Sequence, residues 1–118
     1  FISSEKLEYA IKKAGIDFEE NIQDIINKDL TDMGDNISGG QKQRVSLGRM
    51  FYFDKEVIFL DEPTSALDSK TEELIISAIN EIEKNKTIFV IAHNSKIIDT
   101  CNVKLILENN KINIVKNN

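Results

Sequence analysis

The 118-residue sequence contains no tryptophan, one proline, one histidine and one cysteine. A lone Cys101 cannot close an internal disulfide, which excludes a small cross-linked secreted scaffold and leads us to expect a reducing compartment. Long hydrophobic runs are missing as well. Stretches such as Val57-Ile58-Phe59-Leu60 fall far short of the ~20 residues that a membrane-crossing helix needs. Positive charge is in deficit: 20 acidic against 15 basic side chains leave a net charge of -5, so no nucleic-acid partner is expected. What is present, 41% hydrophobic and 30% charged residues, is the composition of a folded globular segment whose length allows one ordinary domain. The chain opens on Phe1 rather than methionine, and an N-terminus further upstream is expected.

The first half reads as helical. Leu7, Ala10, Ile11 and Ala14 form one apolar stripe of a helix from Ser4 to Ala14, stopped by Gly15. Phe18, Ile22, Ile25 and Ile26 repeat the pattern over a second short helix, and the polar stretch 28–37 reads as a loop. A third helix is predicted from about Gly39 to Phe53, packed through Val45, Gly48, Phe51 and Tyr52. The second half changes character at Val57, where consecutive apolar residues suit a strand covered on both faces. A helix from about Ser69 to Lys84 and a second buried strand over Thr87–Ala92 complete a βαβ unit with parallel strands. A short helix over Lys96–Cys101 then leads to two strands, 103–107 and 111–115, joined through Asn109-Asn110, which tolerates the positive φ of a hairpin turn.

Three places carry chemistry. Asp61-Glu62 puts two carboxylates at the C-terminal end of a buried parallel strand, where open α/β sheets place their ligands. Such a pair suits a cation site and a proton acceptor for an attacking water; it suits equally two solvated acids opening a turn before Pro63. Ser38-Gly39-Gly40-Gln41 opens a helix, and its glycines let a bulky anion approach free N–H groups. The same Ser38 and Gln41 also fit a capping box that needs no ligand. His93 follows the second strand and should emerge on the same sheet edge as Asp61 and Glu62, either as a phosphate sensor or as a merely polar strand end.

Together these segments resemble a known family. Ile37-Ser38-Gly39-Gly40-Gln41-Lys42-Gln43-Arg44 looks like the signature motif of ABC-type ATPases, and 57–64 resembles their Walker B strand. Ser65-Ala66-Leu67-Asp68 resembles their D-loop and His93 their switch histidine, all in the family's order. The resemblance implies an α/β P-loop NTPase (RecA-like) domain, present in part: a helical subdomain over about 1–53, then the C-terminal part of the catalytic core over about 54–118, ending in a β-hairpin. It implies ATP and Mg²⁺ as cofactors, with Asp61 positioning the metal, Glu62 acting as general base and His93 contacting the γ-phosphate. Ser38, Gly39, Gly40 and Gln41 would complete a site in trans on ATP held by a second ABC ATPase domain, while Asp68 would couple the two sites. The further partner would be the transmembrane domain of a transporter, at the cytoplasmic face of the cell membrane.

Departures accompany the likeness. No G-x-x-x-x-G-K-[ST] loop occurs, so these residues alone are expected neither to bind ATP in the usual way nor to hydrolyse it. Gly48 stands where the family commonly has alanine, and Asn94 where arginine often follows the histidine. Thr31-Asp32-Met33-Gly34-Asp35 resembles the loop through which exporter ATPase domains meet their transmembrane helices, whereas Pro63 is frequent in importers; an exporter is the favoured reading. Two alternatives are the ATPase head of a DNA-repair or chromosome protein, which would bring long heptads not seen here, and a non-catalytic partner module, against which the intact Glu62 and His93 argue.

Overall fold

The structure, a computed structural model, describes residues 2–17, 24, 36–82 and 84–117. The second short helix read over Phe18–Ile26 and the exporter-type loop at 31–35 lie outside the described residues, apart from Asp24. The elements are α1 (Ser4–Lys13), α2 (Gly39–Phe53), β1 (Val57–Asp61), α3 (Ser69–Asn80), β2 (Thr87–Ile91), α4 (Ser95–Ile98), β3 (Val103–Glu108) and β4 (Lys111–Lys116). None of the described helices is long and apolar enough to cross a membrane.

Each helix begins where a short polar side chain replaces a missing intrahelical partner. Ser3 caps α1, Ser38 caps α2, Asp68 caps α3 and Asn94 caps α4, each accepting from a backbone N–H of the first turn. Gly15, at φ 62, ends the first helix region in the left-handed conformation, and Arg44 Nη1 reaches its carbonyl at 2.7 Å. α2 is capped at its C-terminus by Asp54, also left-handed at φ 51, whose carboxylate pairs with Lys86. Gly48 has a packing reason: a Cβ there would lie 3.0 Å from Ile16 Cδ1 and 3.6 Å from Ala14 Cβ, so the glycine lets α1 and α2 approach closely.

β1 and β2 pair in parallel, from Val57 opposite Thr87 to Asp61 opposite Ile91. One core joins them to the helices through Ala10, Ala14, Leu47, Phe51, Ile58, Leu60, Ile75, Ala78, Ile79 and Ile97. In α2 the deep contact is Leu47 beside Gly48 and Phe51, whereas the expected Val45 is only half-buried. The expectation that both strands are covered on both faces is overturned. Ile58 and Leu60 face the core, but Val57 and Phe59 point the other way and Phe59 is 76% exposed. Phe89 and Ile91 lie on the same bare side, with the rings of Phe59 and Phe89 stacked at 4.8 Å. The described helices cover one face only, so an all-apolar strand reveals that two covers are wanted and not where the second comes from.

The helix expected to reach Lys84 stops at Asn80, where the N–H of Ile82 turns back to the Ile79 carbonyl in a tight turn. The hairpin forms as expected: β3 and β4 pair antiparallel, and Asn109 and Asn110 hold φ of 48° and 59°.

Candidate functional site

The C-terminal ends of β1 and β2 lie side by side because Asp61 is in register with Ile91. One residue further, the Glu62 N–H donates to the Ile91 carbonyl at 2.8 Å, extending the pairing past the end of the strand. Glu62 holds φ at 46°, in the left-handed region that costs a non-glycine residue on the order of 1–3 kcal/mol. It also stands before Pro63, whose ring adds its own restriction on the preceding residue. This turn carries the carboxylate back toward β2, where Glu62 Oε1 lies 3.5 Å from His93 Nε2. When the imidazole is protonated that contact is an ion pair. The His93 side chain is 97% exposed and Glu62 is half-buried, so the pair opens outward at the strand ends. The expectation that the two residues share one sheet edge is met in the fold.

Asp61 ends β1 and is exposed beside them. Among the described residues no three His, Cys, Asp or Glu side chains gather in a way that could hold a metal ion. A single carboxylate still suits Mg²⁺, which keeps several waters and takes one or two carboxylates with the rest from substrate phosphates. A cation caged by protein ligands alone does not fit these residues.

The signature segment realises the ligand-free reading and leaves room for the other. The Ser38 N–H donates to Gln41 Oε1 at 2.8 Å and the Gln41 N–H donates to Ser38 Oγ at 3.2 Å, a complete capping box. Gly40 also has an internal explanation, because a Cβ there would sit 2.7 Å from the Ala66 carbonyl oxygen. Gly39 has none: a Cβ there would meet nothing within 4 Å. The first turn of α2 therefore presents open backbone at Gly39 while being pressed onto the 65–68 loop at Gly40.

Asp68 is engaged within its own helix start, accepting from the Thr71 N–H at 3.0 Å and the Thr71 hydroxyl at 2.7 Å. These bonds hold its carboxyl below the ordinary aspartate range. Cys101 is half-buried, and desolvation pushes its thiol upward, away from the thiolate that a nucleophile requires.

Two residues around the site carry no reading from sequence. Glu72, only 8% exposed, accepts from Asn94 Nδ2 and from Lys96 Nζ, the latter at 3.0 Å, and so fixes the segment directly after His93. Gln43 bridges α2 to the turn after β1, with Nε2 donating to the Glu62 carbonyl at 2.7 Å and Oε1 accepting from the Ala66 N–H at 3.0 Å. The only sequence signal for Gln43 is its place inside the signature run, and Glu72 has none beyond being a charged residue near a helix start.

Comparison with known proteins gives a consistent picture. A family model described as ABC transporter matches residues 3–65, just over half of the chain. An ATP-dependent lipid A-core flippase of Vibrio cholerae is 38% identical over 109 residues, covering 92% of this chain and 19% of that protein. An uncharacterized ABC transporter ATP-binding protein of Bacillus subtilis is 37% identical over 111 residues, covering 93% of this chain and 19% of its own length. Among solved structures, a bacterial Atm1-family ABC exporter with ATP bound superposes with a TM-score of 0.86 at 29% identity, over 96% of this chain and 20% of that one. The chain thus spans about a fifth of the length of the relatives it matches.

Proposed function

The chain belongs to the ABC transporter family, and from that membership we propose that it serves as the signature and Walker B part of an exporter's ATPase domain, which hydrolyses ATP at a dimer interface to power transport. Its α/β architecture is part of the P-loop NTPase fold. Residues 1–53 would form the signature-bearing helical region and 54–118 the C-terminal part of the catalytic core. The observation that carries the reading is the Glu62–His93 pair, 3.5 Å apart across the ends of two parallel strands.

Bound MgATP would supply the electrophilic γ-phosphate and the cation that offsets its charge. Each residue of this chain has a part that its position permits. Asp61, at the end of β1, would hold the cation through water. Glu62 would accept the proton of the attacking water, its carboxylate aimed by the left-handed turn. His93, exposed opposite it, would orient that water and meet the γ-phosphate. On the other face of the dimer, Ser38, Gly39, Gly40 and Gln41 would contact ATP held by a second ABC ATPase domain, the open backbone at Gly39 admitting its phosphates. Asp68 would couple the two sites. The chain carries no phosphate loop of its own, so these 118 residues alone are expected to be inactive. The transmembrane domain of a transporter is the further partner, which puts this domain at the cytoplasmic face of the cell membrane. The structural neighbour, an ABC exporter, supports the exporter reading, and none of the relatives' names lends support to a DNA-repair role.

The test is complementation between two inactive variants of the full-length protein. Glu62→Gln should lower ATP turnover by about 100-fold or more, the scale of a general base, while leaving ATP binding intact. Ser38→Arg should do the same from the opposite side of the interface. Mixed, the two should recover part of the activity, because some heterodimers carry one site built from undamaged halves. Undiminished turnover in Glu62→Gln removes the base role, and no recovery at any mixing ratio removes the trans geometry.

A further inference from the structure

The Glu62 turn is strained, and strain persists only where its surroundings over-determine it. The surroundings are few. On the nitrogen side the Glu62 N–H is held by the Ile91 carbonyl. On the carbonyl side three donors converge: Gln43 Nε2 at 2.7 Å, Ser65 Oγ at 3.1 Å and the Ser65 N–H at 3.3 Å. Both Ser65 bonds close within the turn itself and move with it. The shortest bond comes from outside, from the helix that carries the signature segment.

Gln43 is also fixed at its other end. Its Oε1 accepts from the Ala66 N–H at 3.0 Å, and its Nε2 comes within 3.4 Å of Ser65 Oγ. Rotating the amide by half a turn would set NH₂ against an N–H and oxygen against a carbonyl, so the partners settle its orientation. The site demands one donor and one acceptor on a side chain of this length, which glutamine supplies at every pH and glutamate only when protonated. Three residues earlier, Gly40 brings the backbone of α2 against the Ala66 carbonyl, giving the helix a second grip on the same loop.

We propose that Gln43 is a positioning residue of ATP hydrolysis: its amide clamps the strained turn that aims Glu62 and joins that turn to α2, so the catalytic carboxylate and the signature segment move as one body. The inference rests on the reading of Glu62 as the base. It gives the contact between α2 and the 62–66 turn a consequence for both sites, since a shift of the helix at the dimer interface pulls directly on the Glu62 carbonyl.

The experiment uses the full-length protein with Gln43→Glu, Gln43→Met and Glu62→Gln measured side by side across pH. Gln43→Glu keeps the acceptor for Ala66 but sets a carboxylate oxygen against the Glu62 carbonyl. It should lose kcat by about 100-fold near pH 8, the scale of a ~1 Å misplacement, with the KM for ATP within about twofold of wild type. Relative to wild type, that loss should shrink as pH falls, because the protonated carboxyl donates to the Glu62 carbonyl again. Gln43→Met, which cannot titrate, should show the same kcat loss at every pH. A wild-type kcat in both Gln43 variants overturns the proposal, as does a loss carried by KM or a Gln43→Glu deficit that is flat with pH. Should Gln43→Glu not fold, the kcat-against-KM split in Gln43→Met decides alone. Glu62→Gln separates the two levels: if it retains turnover, the base reading fails and this proposal with it; if it is inactive while the Gln43 variants run normally, the base reading stands and only Gln43 falls.

Discussion

The two strand pairs among the described residues, one parallel and one antiparallel, are both regularly hydrogen-bonded and finished differently. β1 and β2 have one face packed on α2 and α3, their C-terminal ends are tied together by the Glu62–Ile91 bond, and Gln43 ties the turn after β1 to α2. β3 and β4 are paired just as regularly, yet Leu105, Leu107, Ile112 and Ile114 all stand exposed, with Leu107 at 74%. Backbone pairing is therefore no guide to which apolar side chains stabilise the fold. The chain exposes 8863 Å², against about 6,500 Å² for a compact protein of this size by surface scaling, and the bare sheet face and the hairpin contribute to the excess. The molecule finishes its own contacts around the Glu62 turn and leaves them open on the bare face of β1 and β2 and on the hairpin.

Deleting buried bulk in one region and exposed bulk in the other is the most direct way to break this comparison. Ile75 of α3 has no exposed surface, and Ile75→Ala should cost the 118-residue chain about 2–5 kcal/mol in urea unfolding. Leu107→Ala, on the hairpin, should stay within about 0.5 kcal/mol. Equal costs would mean that the hairpin is packed in solution and that the contrast is false.

The contrast also marks what was readable in advance. Periodicity placed α2 and α3, and Asn109-Asn110 announced the hairpin, because these depend on local backbone chemistry. The shared edge of Glu62 and His93 followed from parallel pairing, which is topological. Coverage is not legible, because Val57-Ile58-Phe59-Leu60 records a need for two apolar neighbours without saying where they come from. Gln43 and Glu72 escaped for a different reason. Their roles are hydrogen bonds to Glu62, Ala66, Asn94 and Lys96, distant partners that no spacing rule connects.

Adjacent glycines carry the comparison down to a single helical turn. Gly40→Ala must push against the Ala66 carbonyl at 2.7 Å, a backbone atom with little freedom, and should destabilise by about 1–3 kcal/mol. Gly39→Ala meets nothing and should stay within about 0.5 kcal/mol. Thermal unfolding of both variants checks the difference, and assaying them in the full-length protein sharpens it. If the open backbone at Gly39 receives a phosphate, Gly39→Ala should lose turnover while keeping its stability, a separation that a purely structural glycine would not show.

The smallest expected effect concerns Asp68, where the chain finishes a contact with a titrating group. The Thr71 N–H and hydroxyl hold this carboxyl below its ordinary value, so the ionised form is favoured in the fold. A depressed folded pKa contributes stability that is fully present above the unfolded value of about 3.9 and is lost as pH falls through the folded value. Asp54, held down by Lys86, and Glu81, held down by Lys13, titrate in the same direction, so an acid limb alone would not identify Asp68. Asp68→Asn isolates it, because asparagine caps a helix about as well and does not titrate. The urea midpoint of wild type should exceed that of Asp68→Asn by a small constant amount from pH 7 to about 5, and the gap should close as pH drops below about 4. A gap that stays constant into acid would mean that the Thr71 contacts hold the protonated carboxyl equally well, and that the cap owes its strength to geometry rather than to charge.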